Sequence, residues 1–158
     1  MGIMKVLIAY GTRYGSTEEI AKKIEKTIQH KGLESELVNL GITKSKNWPQ
    51  LDGFDGIIVG TSLKVNSWKK QVKTFLDKHK NEINNKKFGM FTCGAWAIAE
   101  PLEANEDIAG RLAKNFELTA DIYYAFGGVL DLSEDSNVGR AGKIALKLTA
   151  LGLEKDKG

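Results

Sequence analysis

M-K-V-L-I-A-Y-G-T-R-Y-G-S-T, residues 4–17, decides how the rest of the chain is read. It opens as a short apolar run, breaks at Gly11, passes through Thr12, Arg13, Tyr14 and Gly15, and enters Ser16-Thr17-Glu18-Glu19, residue types that start helices. Strand, tight loop and helix N-terminus in that order bring unpaired backbone N–H groups and the positive end of a helix dipole to one point. Such a point suits an anion, above all a phosphate. The hydroxyls of Thr12, Ser16 and Thr17 add donors at the same place. No acidic side chain lies between Gly11 and Thr17 to repel the ligand.

Working outward, Ile20, Ala21, Ile24 and Ile28 recur at helical spacing with lysines between them, so the loop leads into an amphipathic helix that ends near His30-Lys31-Gly32. Residues 33–40 alternate as an edge strand, and a polar loop runs from Gly41 to Pro49. Gly56-Ile57-Ile58-Val59-Gly60 reads as a strand covered on both faces. Ser67-Trp68 opens a second helix, with Val72, Phe75, Leu76 and His79 on one face, running to about Asn84. A fourth strand spans residues 86–92 and ends at Cys93-Gly94. Ile108, Leu112 and Phe116 mark a third helix. Asp121 to Phe126 is a fifth strand, broken by Gly127-Gly128, and Val138 to Gly152 closes the chain as a helix with a frayed tail behind it.

Strands alternating with helices imply an α/β fold: a parallel sheet of five strands in the order 2-1-3-4-5, with right-handed crossovers and helices on both faces. Ligands of such sheets lie beyond the carboxyl ends of the strands, where the strand order reverses. Three loops meet there: Gly11 to Thr17, Gly60 to Asn66 and Thr92 to Glu100.

The 158 residues form one domain, long enough to bury roughly two thirds of the unfolded surface. A composition 42% hydrophobic and 27% charged is that of a soluble globular protein. Cys93 is the single cysteine, so there is no internal disulfide and no cysteine-based zinc cluster, which fits a reducing, cytoplasmic compartment. The first apolar run is too short to span a membrane. A net charge of +3, from 23 basic and 20 acidic residues, carries no general affinity for nucleic acid or membranes.

The first loop is not a Walker A motif, for no Gly-Lys-Ser/Thr follows at the required spacing. Nor is it a dinucleotide fingerprint, because Gly11-x-x-x-Gly15 lacks the G-x-G-x-x-G pattern and the second strand ends in Asn39 rather than a ribose-binding acid. A receiver domain needs clustered acids after its first strand, and Ala9-Tyr10-Gly11 supplies none. Cys93 is followed by G-A-W-A-I-A, without the Arg a phosphatase nucleophile uses.

Thr12-Arg13-Tyr14-Gly15-Ser16-Thr17 resembles the phosphate loop of flavodoxins, T-x-T-G-x-T, with Tyr14 where the middle Thr is usual. G-T-R-Y-G-S-T, together with Gly60-Thr61-Ser62-Leu63-Lys64 and the helix from Trp68 to His79, is similar to the flavodoxin-domain branch that includes the menaquinone-dependent protoporphyrinogen oxidases. The resemblance implies a flavodoxin-like three-layer sandwich and one non-covalent FMN. On that reading Thr12, Ser16 and Thr17 bond the phosphate through hydroxyls, and Arg13, Tyr14 and Gly15 through backbone N–H groups. Thr61, Ser62 and Leu63 line one edge of the isoalloxazine, and Cys93, Gly94, Ala95 and Trp96 the other.

Trp96 either stacks on the flavin or covers the end of the sheet, and Cys93 is either a flavin contact or an inert buried thiol. Trp68 reads as packing. Lys64 either points to solvent or faces the reduced, anionic flavin; a cation some 6 Å away at an effective dielectric near 20 stabilises that anion by about 3 kcal/mol.

An FMN-binding carrier of electrons between partner proteins needs no acid/base pair or nucleophile, and the loops offer none, so no catalytic residue is assigned. The alternative is an FMN-dependent oxidoreductase, such as a protoporphyrinogen oxidase. Against it, the segment from Ala97 to Leu118 holds Glu100, Glu103, Glu106, Asp107 and Glu117 and lacks the basic, aromatic insertion the resemblance leads one to expect. A flavin-free interaction module that kept only the fold is the third class.

Overall fold

The computed structural model describes residues 4–13, 15–64 and 67–127. The expected closing helix, Val138 to Gly152, lies outside the described residues, as do Tyr14, Val65 and Asn66.

The apolar start of the chain forms β1 (Lys5–Gly11), buried from Val6 onward. It runs parallel to β2 (Glu34–Asn39) on one side and to β3 (Gly56–Lys64) on the other. Adding β5 (Lys87–Cys93) and β6 (Ile122–Phe126) gives the parallel order β2-β1-β3-β5-β6, the expected 2-1-3-4-5 arrangement of a flavodoxin-like fold. A sixth strand, β4 (Ser67–Trp68), was not expected. It folds back antiparallel on the end of β3, pairing Leu63 with Trp68 and Lys64 with Ser67.

That strand corrects two readings. Gly60 to Lys64 is strand rather than loop, and Ser67-Trp68 does not open the helix: α2 is Lys70–Ile83. The physical reason is long-range. Trp68 is buried and stacks on Phe116, with ring centroids 6.1 Å apart and planes 5° from parallel. The Lys69 N–H donates to the Thr61 hydroxyl at 3.0 Å, and Lys69 stays extended at ψ 136, so helical geometry begins one residue later.

Pleating sorts the strand side chains into two cores. Val6, Ile8 and Tyr10 of β1, with Ile58, Phe91, Cys93 and Phe126, pack on Ile20, Ala21, Ile24 and Ile28 of α1 (Ser16–His30). Leu7, Ala9, Ile57, Val59, Phe88 and Met90 face the other way, onto Val72, Phe75 and Leu76 of α2 and Ala104 and Ile108 of α4 (Pro101–Arg111). The third expected helix is α4 followed by a π-helical turn over Leu112–Phe116, and the expected loop Thr92 to Glu100 contains one helical turn, α3 (Trp96–Ala99). The wider turn delivers Phe116 to Trp68. Gly60 lies against the Phe91 ring, which a Cβ at that position would have to displace. No helix among the described residues is long and apolar enough to cross a membrane.

Candidate functional site

The carboxyl ends of β1, β3 and β5 leave the sheet side by side. Gly11 is registered on Thr61, and Ser62 on Cys93. The residues singled out from the sequence therefore gather along one edge of the molecule, at the point where strand order reverses between β1 and β3.

In the first loop Gly15 adopts φ +92, a left-handed conformation that glycine takes without strain. Its N–H donates to the Thr12 hydroxyl oxygen at 2.9 Å, folding the loop back on itself. Gly15 is the N-cap of α1, and no side chain caps that helix, so the first-turn N–H groups remain available to a ligand. Thr17 points its hydroxyl inward: the residue is fully buried, and its Oγ1 has no hydrogen-bond partner. Ser16 is half-buried and Arg13 exposed.

At the end of β3, Thr61 is also fully buried, but its hydroxyl is engaged: it accepts from Lys69 N–H and donates to the Ser62 carbonyl at 3.0 Å. It ties the end of β3 to the residue that precedes α2. Ser62 is 8% exposed, and its Oγ, like that of Thr17, is enclosed without a partner. Leu63 is half-buried and Lys64 exposed. In the third segment the Cys93 thiol is buried, and Gly94 N–H donates to the Phe126 carbonyl at 2.9 Å. A Cβ on Gly94 would stand 3.0 Å from the Leu63 carbonyl oxygen, so glycine lets the second and third segments touch. Ala95 is exposed. Trp96 is half-buried, with part of its ring against the α2–α4 core.

One linkage escaped the sequence. Tyr10, at the end of β1, donates its hydroxyl proton to Glu18 Oε1 at 2.7 Å, tying the strand end to the first turn of α1. Burial, and then the Glu18 hydrogen bond, push the Tyr10 phenol well above its ordinary value of 10.0. The eight-residue separation follows no helix or strand period, so only the folded loop brings the pair together.

Thr17 Oγ1 in the first turn of α1 and Ser62 Oγ at the end of β3 are buried hydroxyls without partners, near a helix start that no side chain caps. Fold and site together define a doubly wound α/β protein whose strand switch point opens beside an uncapped helix start.

The chain belongs to the flavodoxin-domain family, whose model matches residues 7–147. FMN is the cofactor that this membership assigns, and the first loop fits its phosphate. In sequence the chain is similar to protoporphyrinogen IX dehydrogenase [quinone] of Escherichia coli strain K12, with 26% identity over 82 residues. That match covers 52% of this chain and 44% of the relative, so the similar part is less than half of that protein. Among solved structures it is similar to oxidised flavodoxin 2 from Bacillus cereus, at TM-score 0.66 and 24% identity over 92% of this chain and 98% of that one. It is also similar to part of rubredoxin oxygen:oxidoreductase from Desulfovibrio gigas, at TM-score 0.69 and 20% identity over 92% of this chain and 36% of that one. At these identities the structural likenesses speak for the fold alone.

Proposed function

We propose that the protein carries electrons between partner proteins through FMN held at the ends of β1, β3 and β5. FMN, when bound, supplies reversible one- and two-electron transfer. The chain's own residues bind and orient it. Thr12, Ser16 and Thr17 offer hydroxyls to the phosphate and Arg13 and Tyr14 offer backbone N–H groups, while Gly15 N–H holds the loop folded through the Thr12 hydroxyl. Thr61, Ser62 and Leu63 hold one edge of the ring, and Cys93, Gly94, Ala95 and Trp96 the other. Lys64, exposed beside that edge, favours added negative charge. The observation that carries this reading is the pair of enclosed, unpartnered hydroxyls, Thr17 Oγ1 and Ser62 Oγ. Neither histidine is at these hydroxyls: His30 closes α1, and His79 lies on α2 against Glu82. The single cysteine, buried as a thiol, supports a reducing, cytoplasmic setting.

A second reading, oxidation of a porphyrinogen with transfer to a quinone, is favoured by the similarity to the E. coli dehydrogenase. The acidic character of α4 speaks against a site for an anionic porphyrin there: its first turn carries Glu103, and Asp107 is paired with Arg111 at 2.7 Å. Anaerobic mixing separates the two readings. A carrier, once reduced with dithionite, passes electrons to cytochrome c as a generic acceptor and leaves protoporphyrinogen untouched in the presence of a menaquinone analogue. Porphyrinogen oxidation at enzymatic rates overturns the carrier reading. A colourless protein whose melting point does not move in added FMN returns the chain to the flavin-free class.

A further inference from the structure

A groove of about 360 Å³ lies between residues 40–48 and the first turns of α2, apart from the loops that hold the cofactor. Its lining includes Ile42, Lys44, Trp48, Lys70 and Gln71.

The walls are built rather than collapsed. Trp48 Nε1 donates to the Thr43 carbonyl at 2.8 Å, Gly41 N–H donates to Asn39 Oδ1 at 2.9 Å, and Leu40 N–H donates to the Tyr10 carbonyl at 2.7 Å. On the rim Ile42 is 82% exposed, the most exposed of the large apolar residues among those described. Inside, Gln71 Oε1 is enclosed with no hydrogen-bond partner, an acceptor awaiting an N–H.

The charge around the groove has one sign. Lys44 and Lys70 line it, Lys46, Lys69 and Lys73 lie close to them in sequence, and no acidic residue is in the lining. Among the described residues none of these five lysines is in an ion pair. Lys78 lies over the Trp48 ring at 6.0 Å. The nearest carboxylates in sequence, Glu36, Asp52, Asp55 and Asp77, do not line the groove.

We propose that this groove docks an acidic, extended segment of a protein partner. One apolar side chain of the segment seats against Ile42 and Trp48, its carboxylates face Lys44 and Lys70, and a backbone N–H reaches Gln71 Oε1. Charge complementarity selects the segment. The recessed apolar floor and the enclosed acceptor favour a peptide over a flat anionic membrane. That the segment's owner is a redox partner rests on the carrier reading; the surface itself does not.

The test is peptide binding followed by amide shifts in the isotopically labelled full chain, which reads the groove whether or not electron transfer occurs. The probe is a synthetic nonapeptide of Glu and Asp around one central Leu, set against its Gln/Asn analogue. The expected result is shifts confined to Gly41–Trp48 and Lys70–Thr74, including the Trp48 indole signal, with affinity falling several-fold between about 50 and about 300 mM salt. Lys44→Glu with Lys70→Glu, and separately Ile42→Asp, should weaken binding about tenfold. Reversing Lys23 and Lys26 on α1 should leave it unchanged. Equal binding of the neutral analogue, equal loss from the α1 reversals, or shifts elsewhere would overturn the proposal. So would groove shifts produced by phosphatidylserine vesicles and not by the peptide. Loss of FMN binding or of electron transfer with groove shifts intact would instead count against the carrier reading alone.

Discussion

Thr17 carries an unusual burden for a residue in the first turn of a helix: its hydroxyl oxygen is fully enclosed and unpaired. An unsatisfied buried polar group costs about 1–3 kcal/mol, and an apolar group of the same shape removes that cost. Thr17→Val should therefore leave the flavin-free protein as stable as wild type or more so, while weakening FMN binding by about tenfold. Thermal denaturation of the flavin-free form and a flavin titration read the two effects, and a loss of stability with unchanged affinity would assign Thr17 to the core alone. Tyr10 makes a pH statement at the same scale. Burial and the Glu18 bond raise its phenol above 10.0, so the folded chain keeps this proton after the unfolded chain has lost it. The stability from this group is whole below pH 10.0 and declines as the pH rises beyond it. Urea midpoints taken across that range should fall more steeply for wild type than for Tyr10→Phe, and parallel curves would refute the raised value.

At the scale of elements, the pairing of β4 with the end of β3 is what the site owes to tertiary structure. It extends β3 to Lys64 and leaves that lysine exposed next to the segment assigned to the flavin edge. Lys64→Glu should lower the two-electron potential by tens of millivolts at most, since an exposed charge is screened; spectroelectrochemistry decides, and an unchanged potential removes Lys64 from the account. The same element shows where sequence reading stops. The β1 run, the helix at Ser16 and the edge alternation of β2 were legible because each is a local period or a local cap. Ser67-Trp68 reads in the sequence as a helix start, whereas the strand it forms depends on a stack with Phe116 and on the Thr61 hydroxyl, neither of which has a local signature. The π turn that carries Phe116, and the single turn of α3, are invisible for the same reason.

For the whole molecule, the parallel order and its switch point followed from the alternation of strands and helices, and they put Gly11, Ser62 and Cys93 at neighbouring strand ends. Which hydroxyls stay free there is a matter of folded geometry. Thr61 and Ser62 look alike in sequence, yet one is tied to the Lys69 N–H and the other has no partner. The central claim is that the end of β1 and the start of α1 form a phosphate cradle for FMN. Titrating the flavin-free protein with FMN and, in parallel, with riboflavin, which lacks the phosphate, tests it most directly through quenching of flavin fluorescence. The account expects FMN to bind at least about tenfold more tightly, from the charge-assisted bonds of the first loop. Equal affinities for the two flavins, or no quenching by either, would contradict it.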